Sequence, residues 1–257
     1  MNSKWKIGIF ILLHLLCGCV PKQEAVTISA AASLKDSLEE IREMFEEKFP
    51  GPKIVFNYGG SGMLSRQIEQ GAPVDAFLSA SSEHMKALVE KELVWERDNQ
   101  DTPLILNTLV IVSHKEGFHK NVNDVLNNKG RIAIATPETT PAGKYTKEAL
   151  QKSGLWDVVQ NRLVYGKDVR HVLTLVEQQS VVAGFVYGSD AISSQSVEVI
   201  GQVDTSLHTP IEYFAAVVRE SEKQERASQF VDFLFLPKSQ EVFARHGFLL
   251  SDSRNDN

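Results

Sequence analysis

Two stretches in the first third of the chain place a strand, small residues and a hydroxyl in an order that suits anion binding. The first is Val26-Thr27-Ile28-Ser29-Ala30-Ala31-Ala32-Ser33-Leu34. The second is Ile54-Val55-Phe56-Asn57-Tyr58-Gly59-Gly60-Ser61-Gly62-Met63-Leu64. In each, a strand-like run leads to a serine placed where a helix begins. Helix starts expose unpaired N–H groups and carry a partial positive charge, so they attract anions. Two such starts, each with a hydroxyl, suggest a grip on a small oxyanion without charged side chains.

Taken singly, each candidate has an ordinary structural reading. Ser33-Leu34-Lys35-Asp36 fits the S-x-x-[DE] capping pattern, which a plain N-cap worth about 1 kcal/mol would explain. Around Ser61, the glycines at 59, 60 and 62 let N–H groups converge and a ligand approach the backbone; a flexible turn would look the same. The segment is not a nucleophile elbow, because G-x-S-x-G would need glycine where Met63 stands. No G-x-x-x-x-G-K-[ST] phosphate loop occurs anywhere. Thr140-Pro141-Ala142-Gly143 is a third helix entry, with Thr140 as cap and proline at the first position. Gly166-Lys167-Asp168-Val169-Arg170 is a fourth, capped by Asp168. Tyr187 ends an apolar run and could turn its phenol into a cleft or pack half-buried. The histidines are scattered, with no H-E-x-x-H or similar spacing, and the carboxylates fall mostly on polar helix faces. No acid–base pair or metal cluster is indicated.

The elements that must position these residues alternate along the chain. Strand-like runs fall at 27–31, 53–58, 75–79, 104–113, 131–135, 162–165, 181–187, 197–200 and 211–218. Between them, Leu34, Leu38, Ile41, Phe45 and Phe49 recur at helical spacing, as do Met85, Leu88, Val89 and Leu93, and Val172, Leu173, Leu175 and Val176. Alternation of this kind predicts an α/β fold with largely parallel sheets, whose ligands collect at strand C-terminal ends. Two helices, at 222–236 and 238–246, close the chain, with Pro237 ending the first. The long apolar runs at 104–113 and 211–218 are the natural crossings between two lobes.

The 257 residues are 42% apolar and 23% charged, a globular composition, with a net charge of −6. An acidic chain argues against nucleic acid and against electrostatic docking on anionic lipid. Residues 1–19 read as an export signal: Lys4 and Lys6 precede an apolar run from Ile7 to Leu16, too short to span a membrane. Removing the segment makes the remainder more acidic. Leu16-Cys17-Gly18-Cys19 resembles the lipobox of bacterial lipoproteins, in which Cys19 becomes the lipid-bearing first residue; an ordinary secretory signal with incidental cysteines is the alternative. Cys17 and Cys19 are the only cysteines, so the mature chain has no disulfide framework and no thiolate metal site. Residues 20–25 read as a tether and 251–257 as a polar tail.

Taken together and in order, these segments resemble the molybdate-binding proteins of bacterial ABC importers. The resemblance rests on Ala30-Ala31-Ala32-Ser33-Leu34, Ser61 to Glu69, Gly71 to Phe77, Pro141 to Tyr145, Asp168-Val169-Arg170 and Val186 to Asp190, and spans 26–249. It implies a two-lobed periplasmic-binding-protein fold of type II, each lobe a mainly parallel sheet flanked by helices and joined by two crossover strands. Lobe I would comprise 26–107 and 216–257, and lobe II 108–215. It implies oxyanion binding by Ser33 and Ser61 through hydroxyl and N–H, by the N–H groups of Ala142 and Val169, and by the phenol of Tyr187. Molybdenum would be present only as molybdate, with tungstate as a second ligand. No cofactor and no catalysis are implied. The partners would be an ABC permease with a separate ATPase. The protein would be a monomer outside the cytoplasm, held to the cell membrane by lipid on Cys19.

A departure is Gly60-Ser61-Gly62, where some members carry a run of serines. Chemistry supports the implied site: a fully deprotonated dianion suits a site made only of donors, at about 1.5–3 kcal/mol per hydrogen bond. Hydrogenphosphate carries a proton that such a site cannot accept, and sulfate would be too small to reach all donors. Either carboxylate beside the site, Asp168 or Asp190, would weaken this discrimination if it pointed inward. The competing readings are a binding protein for another tetrahedral oxyanion such as sulfate, one for an amino acid held through Arg66 or Arg170, and a hydrolytic enzyme on a similar scaffold.

Overall fold

In a computed structural model of the chain, residues 25–95, 102–127 and 129–251 are described. The export signal, Cys19 and most of the tether and tail lie outside the described residues. The sequence expectations of strands hold within a residue or two at most positions. In chain order the strands are β1 (Val26–Ala31), β2 (Ile54–Gly59), β3 (Ala76–Ser79), β4 (Ile105–Leu106), β5 (Leu109–His114), β6 (Ile132–Ala135), β7 (Leu163–Gly166), β8 (Ala183–Tyr187), β9 (Val197–Gln202), β10 (Glu212–Val217) and β11 (Leu249–Leu250). The helices are α1 (Lys35–Lys48), α2 (Ser61–Glu69), α3 (Ser82–Glu90), α4 (Val122–Asn127), α5 (Pro141–Lys152), α6 (Trp156–Val159), α7 (Val169–Glu177), α8 (Gly188–Ile192), α9 (Gln224–Leu234) and α10 (Pro237–Arg245).

The strands form two sheets, ordered β11-β4-β10-β3-β1-β2 and β7-β6-β8-β5-β9. Both are mixed rather than mainly parallel. β1 runs parallel to β2 and β3, and β6 parallel to β7 and β8, whereas β10, β4 and β11, like β5 and β9, pair antiparallel. The reason is connectivity. β5 and β10 are reached from the other sheet rather than through a βαβ crossover, and nothing forces them into the parallel direction.

The crossings differ in detail from expectation. The apolar run at 104–113 breaks at Asn107-Thr108, with β4 in the first sheet and β5 in the second. The return passes through residues 203–211, ahead of β10. β10 pairs along its whole length with β3 and β4, so the expected lobe boundary between 215 and 216 falls inside a strand of the first sheet. Pro237 does not merely end α9; it occupies the first turn of α10, where its missing N–H is no loss.

The helices take the faces their periodicity dictates. α1 buries Leu38, Ile41 and Phe45 completely, and Phe45 packs on Phe49, Phe230 and Phe233 at 5.1–5.4 Å between ring centroids. α7 buries Val172, Leu173 and Val176 against β6 and β8. At Gly184 an added Cβ would lie 2.8 Å from Val176 and 2.9 Å from Val172, so α7 can seat on β8 only over a glycine. Among the described residues, no helix is long and apolar enough to cross a membrane.

Candidate functional site

Each sheet contains three mutually parallel strands, and residues at or just after their C-terminal ends meet at one place. β1, β2 and β3 end at Ala31, Gly59 and Ser79 in the first sheet; β6, β7 and β8 end at Ala135, Gly166 and Tyr187 in the second. The turns that follow them enclose a small cavity. It is lined by Ala31, Ala32, Ser33, Gly59, Gly60, Ser61 and Ala80 from one side, and by Thr140, Pro141, Ala142, Asp168, Val169 and Tyr187 from the other. The cavity is small, and every residue that lines it is buried. The structure thus brings Ser33, Ser61, Ala142, Val169 and Tyr187 together, and each is at most 4% exposed.

Each polar group has a determinate partner or a determinate vacancy. Ser61 opens α2, and its Oγ accepts the Ala80 N–H at 3.0 Å, which leaves its own proton free to donate. At α5, Thr140 Oγ1 accepts from Gly143 N at 3.1 Å, Lys144 N reaches Thr140 O, and Pro141 has no N–H. That leaves Ala142 as the donor of the first turn without a helical partner. At α7, Asp168 Oδ1 accepts from His171 N at 2.8 Å and Val172 N reaches Asp168 O, leaving the Val169 and Arg170 N–H groups over. Tyr187 Oη is fully buried and has no hydrogen-bond partner. Burial drives its pKa well above the ordinary phenol value, so it is a neutral donor at any physiological pH.

Ser33 departs from the sequence reading. The turn Ala32–Leu34 is a 3₁₀ helix and α1 starts only at Lys35, with no side-chain cap, so the capping box does not form. The Ser33 hydroxyl instead lies 2.8 Å from Tyr213 Oη. The glycines around Ser61 also have a different use. A Cβ at Gly60 would lie 2.6 Å from Thr140 Cγ2 and 2.9 Å from Thr139 O, and one at Gly62 would lie 3.0 Å from Thr139 O. These glycines admit the loop of the opposite sheet.

No lysine, arginine or histidine lines the cavity. Arg66 donates to Glu138 O at 3.4 Å. Arg170 donates to Asp36 at 2.6 Å and to Ser193 at 2.9 Å, and lies 2.8 Å from Asp190. The first contact joins α1 to α7 across the two sheets. Lys144 with Glu83, and Tyr145 Oη with Ala80 O at 3.2 Å, do the same on α5. Asp190 is turned away from the cavity, toward Arg170 and the Tyr187 N–H. Asp168 is among the lining residues, with one oxygen committed to its helix cap. Among the described residues there is no cluster of metal ligands.

Sequence reasoning missed Ala80, whose N–H engages Ser61, and the pair Asn107 and Tyr213 behind Ser33. Ala80 carries no side-chain signal. Asn107 did leave one, as a polar residue interrupting an apolar run.

A buried chamber without a cationic side chain, walled by strand ends from two sheets, defines a two-lobed ligand-binding protein. The chain belongs to the bacterial extracellular solute-binding proteins, whose family model matches residues 26–249. It acts outside the cytoplasm as a binding protein and not as an enzyme. It is similar to the putative ABC transporter substrate-binding lipoprotein YvgL of Bacillus subtilis, at 39% identity over 96% of this chain and 99% of that protein. It is 38% identical to the molybdate-binding protein ModA of Escherichia coli, over 97% of this chain and 100% of ModA. Among solved structures it resembles the substrate-binding domain of a putative molybdenum ABC transporter from Clostridium difficile. The TM-score is 0.66 and the identity 36%, over 88% of this chain and 98% of that one.

Proposed function

We propose that this protein captures molybdate, and tungstate, and delivers it to an ABC importer with a separate ATPase. The observation that carries the reading is a cavity with hydroxyl, phenol and helix N–H groups facing one small space and no counter-charge among its lining residues. Such a space suits a dianion that has no proton to offer. The names of ModA and of the Clostridium difficile structure support the choice of anion. In this reading Ser33, Ser61, Ala142, Val169 and Tyr187 each give at least one hydrogen bond. At about 1.5–3 kcal/mol each, they would together offset much of the anion's desolvation. Asp168 stays outside the donor set, occupied with His171 N.

Lobe I in this reading holds residues 26–107 and the chain from 212 onward, and lobe II the part between. The protein works as a monomer, and lipid on Cys19 tethers it to the cell membrane, a reading supported by the lipoprotein name of YvgL. Isothermal titration across molybdate, tungstate, sulfate and phosphate tests the ligand. Tight binding of the first two, weak sulfate and no phosphate is expected; sulfate affinity equal to that of molybdate refutes it. Cys19→Ser is expected to release the protein into the medium, and retention on membranes would refute the anchor.

A further inference from the structure

Behind Ser33 lies a chain of buried polar groups that the oxyanion site does not itself use. Asn107 is 7% exposed and Tyr213 is fully buried. Asn107 Oδ1 accepts the N–H of Thr108 at 2.9 Å and that of Ser189 at 3.4 Å. Two backbone donors on one side fix the orientation of the amide, because the flipped form would set NH₂ against both. Asn107 Nδ2 therefore donates, to Ser189 Oγ at 2.8 Å and to Tyr213 Oη at 3.2 Å. Tyr213 Oη thus accepts from Asn107, and its single proton has Ser33 Oγ, at 2.8 Å, as its hydrogen-bonding partner. Ser33 accepts in turn, and its own proton is left for the cavity it lines.

We propose that Asn107 and Tyr213 are positioning residues: they form a one-way hydrogen-bond chain that fixes the Ser33 hydroxyl as a donor into the cavity, and so bar oxyanions that carry a proton. The inference rests on the oxyanion reading above. A free serine hydroxyl can rotate to accept a proton from hydrogenphosphate as readily as it donates to a bare dianion. With Tyr213 donating to Ser33 Oγ, turning a serine lone pair toward the cavity would leave one of two buried protons, that of Ser33 or that of Tyr213, without an acceptor, a cost typical of an unmade buried hydrogen bond. Ser61 is held in the same sense by the Ala80 N–H. Both hydroxyls of the first lobe are thus set as donors before any ligand arrives. Neither Asn107 nor Tyr213 lines the cavity; their hydrogen-bonded route to it runs through Ser33, and the Tyr213 ring also packs edge-on against Tyr187, with centroids 6.3 Å apart.

Two variants test this from opposite directions. Tyr213→Phe keeps the ring and removes the donor. Asn107→Asp is nearly isosteric and reverses the chain, since a carboxylate takes the Tyr213 proton and leaves Tyr213 to accept the proton of Ser33. Binding of molybdate and of inorganic phosphate is measured by calorimetry for each, with thermal unfolding as the check on folding. Tyr213→Phe should weaken molybdate about tenfold. In a Ser33→Ala background the same change should alter affinity less than twofold. Asn107→Asp should lower the molybdate-to-phosphate affinity ratio at least tenfold. An equal loss from Tyr213→Phe with and without Ser33 would overturn the inference, because a merely structural tyrosine acts regardless of Ser33. An unchanged anion ratio in folded Asn107→Asp would overturn it as well. Failure of the unaltered protein to bind molybdate would instead refute the oxyanion reading, and the inference with it.

Discussion

Gly60→Ala separates what the two lobes do together from what each does alone. Gly60 has φ −69° and ψ 131°, a conformation open to any residue, so alanine brings no backbone strain. Its Cβ, however, would sit 2.6 Å from Thr140 Cγ2, about 1 Å inside ordinary carbon–carbon contact. Thr140 cannot swing aside cheaply. Its Oγ1 accepts from Gly143 N at 3.1 Å and donates to Thr136 O at 2.8 Å, and releasing that cap would cost about 1 kcal/mol. The second obstacle, Thr139 O at 2.9 Å, is backbone. Relief must come from parting the two walls of the cavity. Overpacking of this kind costs about 1–3 kcal/mol, which is roughly 5- to 150-fold in the dissociation constant for molybdate. The ligand-free protein, with its lobes free to separate, should keep its melting temperature or gain a little, because alanine lowers the entropy of the unfolded chain. Calorimetry with molybdate, paired with thermal unfolding without it, reads both quantities. Molybdate affinity within twofold of the unaltered protein would refute the idea that these glycines exist to admit the opposing loop.

Two further predictions concern single groups. Tyr187→Phe removes a buried phenol that has no partner within the protein, and should weaken molybdate by about 1–3 kcal/mol in calorimetry while leaving the melting temperature of the free protein unchanged or raised; unaltered affinity would remove the phenol from the site. Burial raises the Asp190 carboxyl to about 7, against the opposing pull of Arg170. The folded chain then holds that proton between about pH 4 and 7 while the unfolded chain has lost it. The contribution of Asp190 to stability therefore falls as pH rises through this window and is level above it. Several surface glutamates, among them Glu40, Glu46 and Glu83, have lowered values and act in the opposite sense, so the test is the difference from Asp190→Asn. Melting curves from pH 4 to 8 should show the unaltered protein losing ground to the variant as pH rises; parallel curves would refute the assignment.

Much of this fold could be read from periodicity, and the exceptions have physical causes. α1, α3 and α7 announced themselves because one stripe of each is apolar and buried. β11 did not, since two residues carry no alternation. Strand direction was missed at β5 and β10 because direction depends on which sheet the chain arrives from. The five residues around the cavity stood at helix entries and a strand end that were visible locally, but only the resemblance carried by the ordered motifs named them as donors. Their supports could not. Tyr213 meets Ser33 from 180 residues away in sequence and Asn107 meets Tyr213 from 106, and no local pattern encodes such meetings. Gly60 and Gly62 were noticed for the right reason, close approach, but assigned to the ligand rather than to Thr139 and Thr140.

The missing counter-charge has a consequence for unloading. An anion held by an arginine must break an ion pair to leave, and one held by a histidine can wait on a proton. Here neither applies. In the proposed reading, the hydration shell given up on entry would be replaced by neutral dipoles drawn from both sides, with Ser33 and Ser61 on one and Ala142, Val169 and Tyr187 on the other. Either half alone would offer only two or three of them. Separating the halves would then be sufficient to discharge the cargo. Capture and hand-off become a matter of distance between two walls, with no chemical step between them.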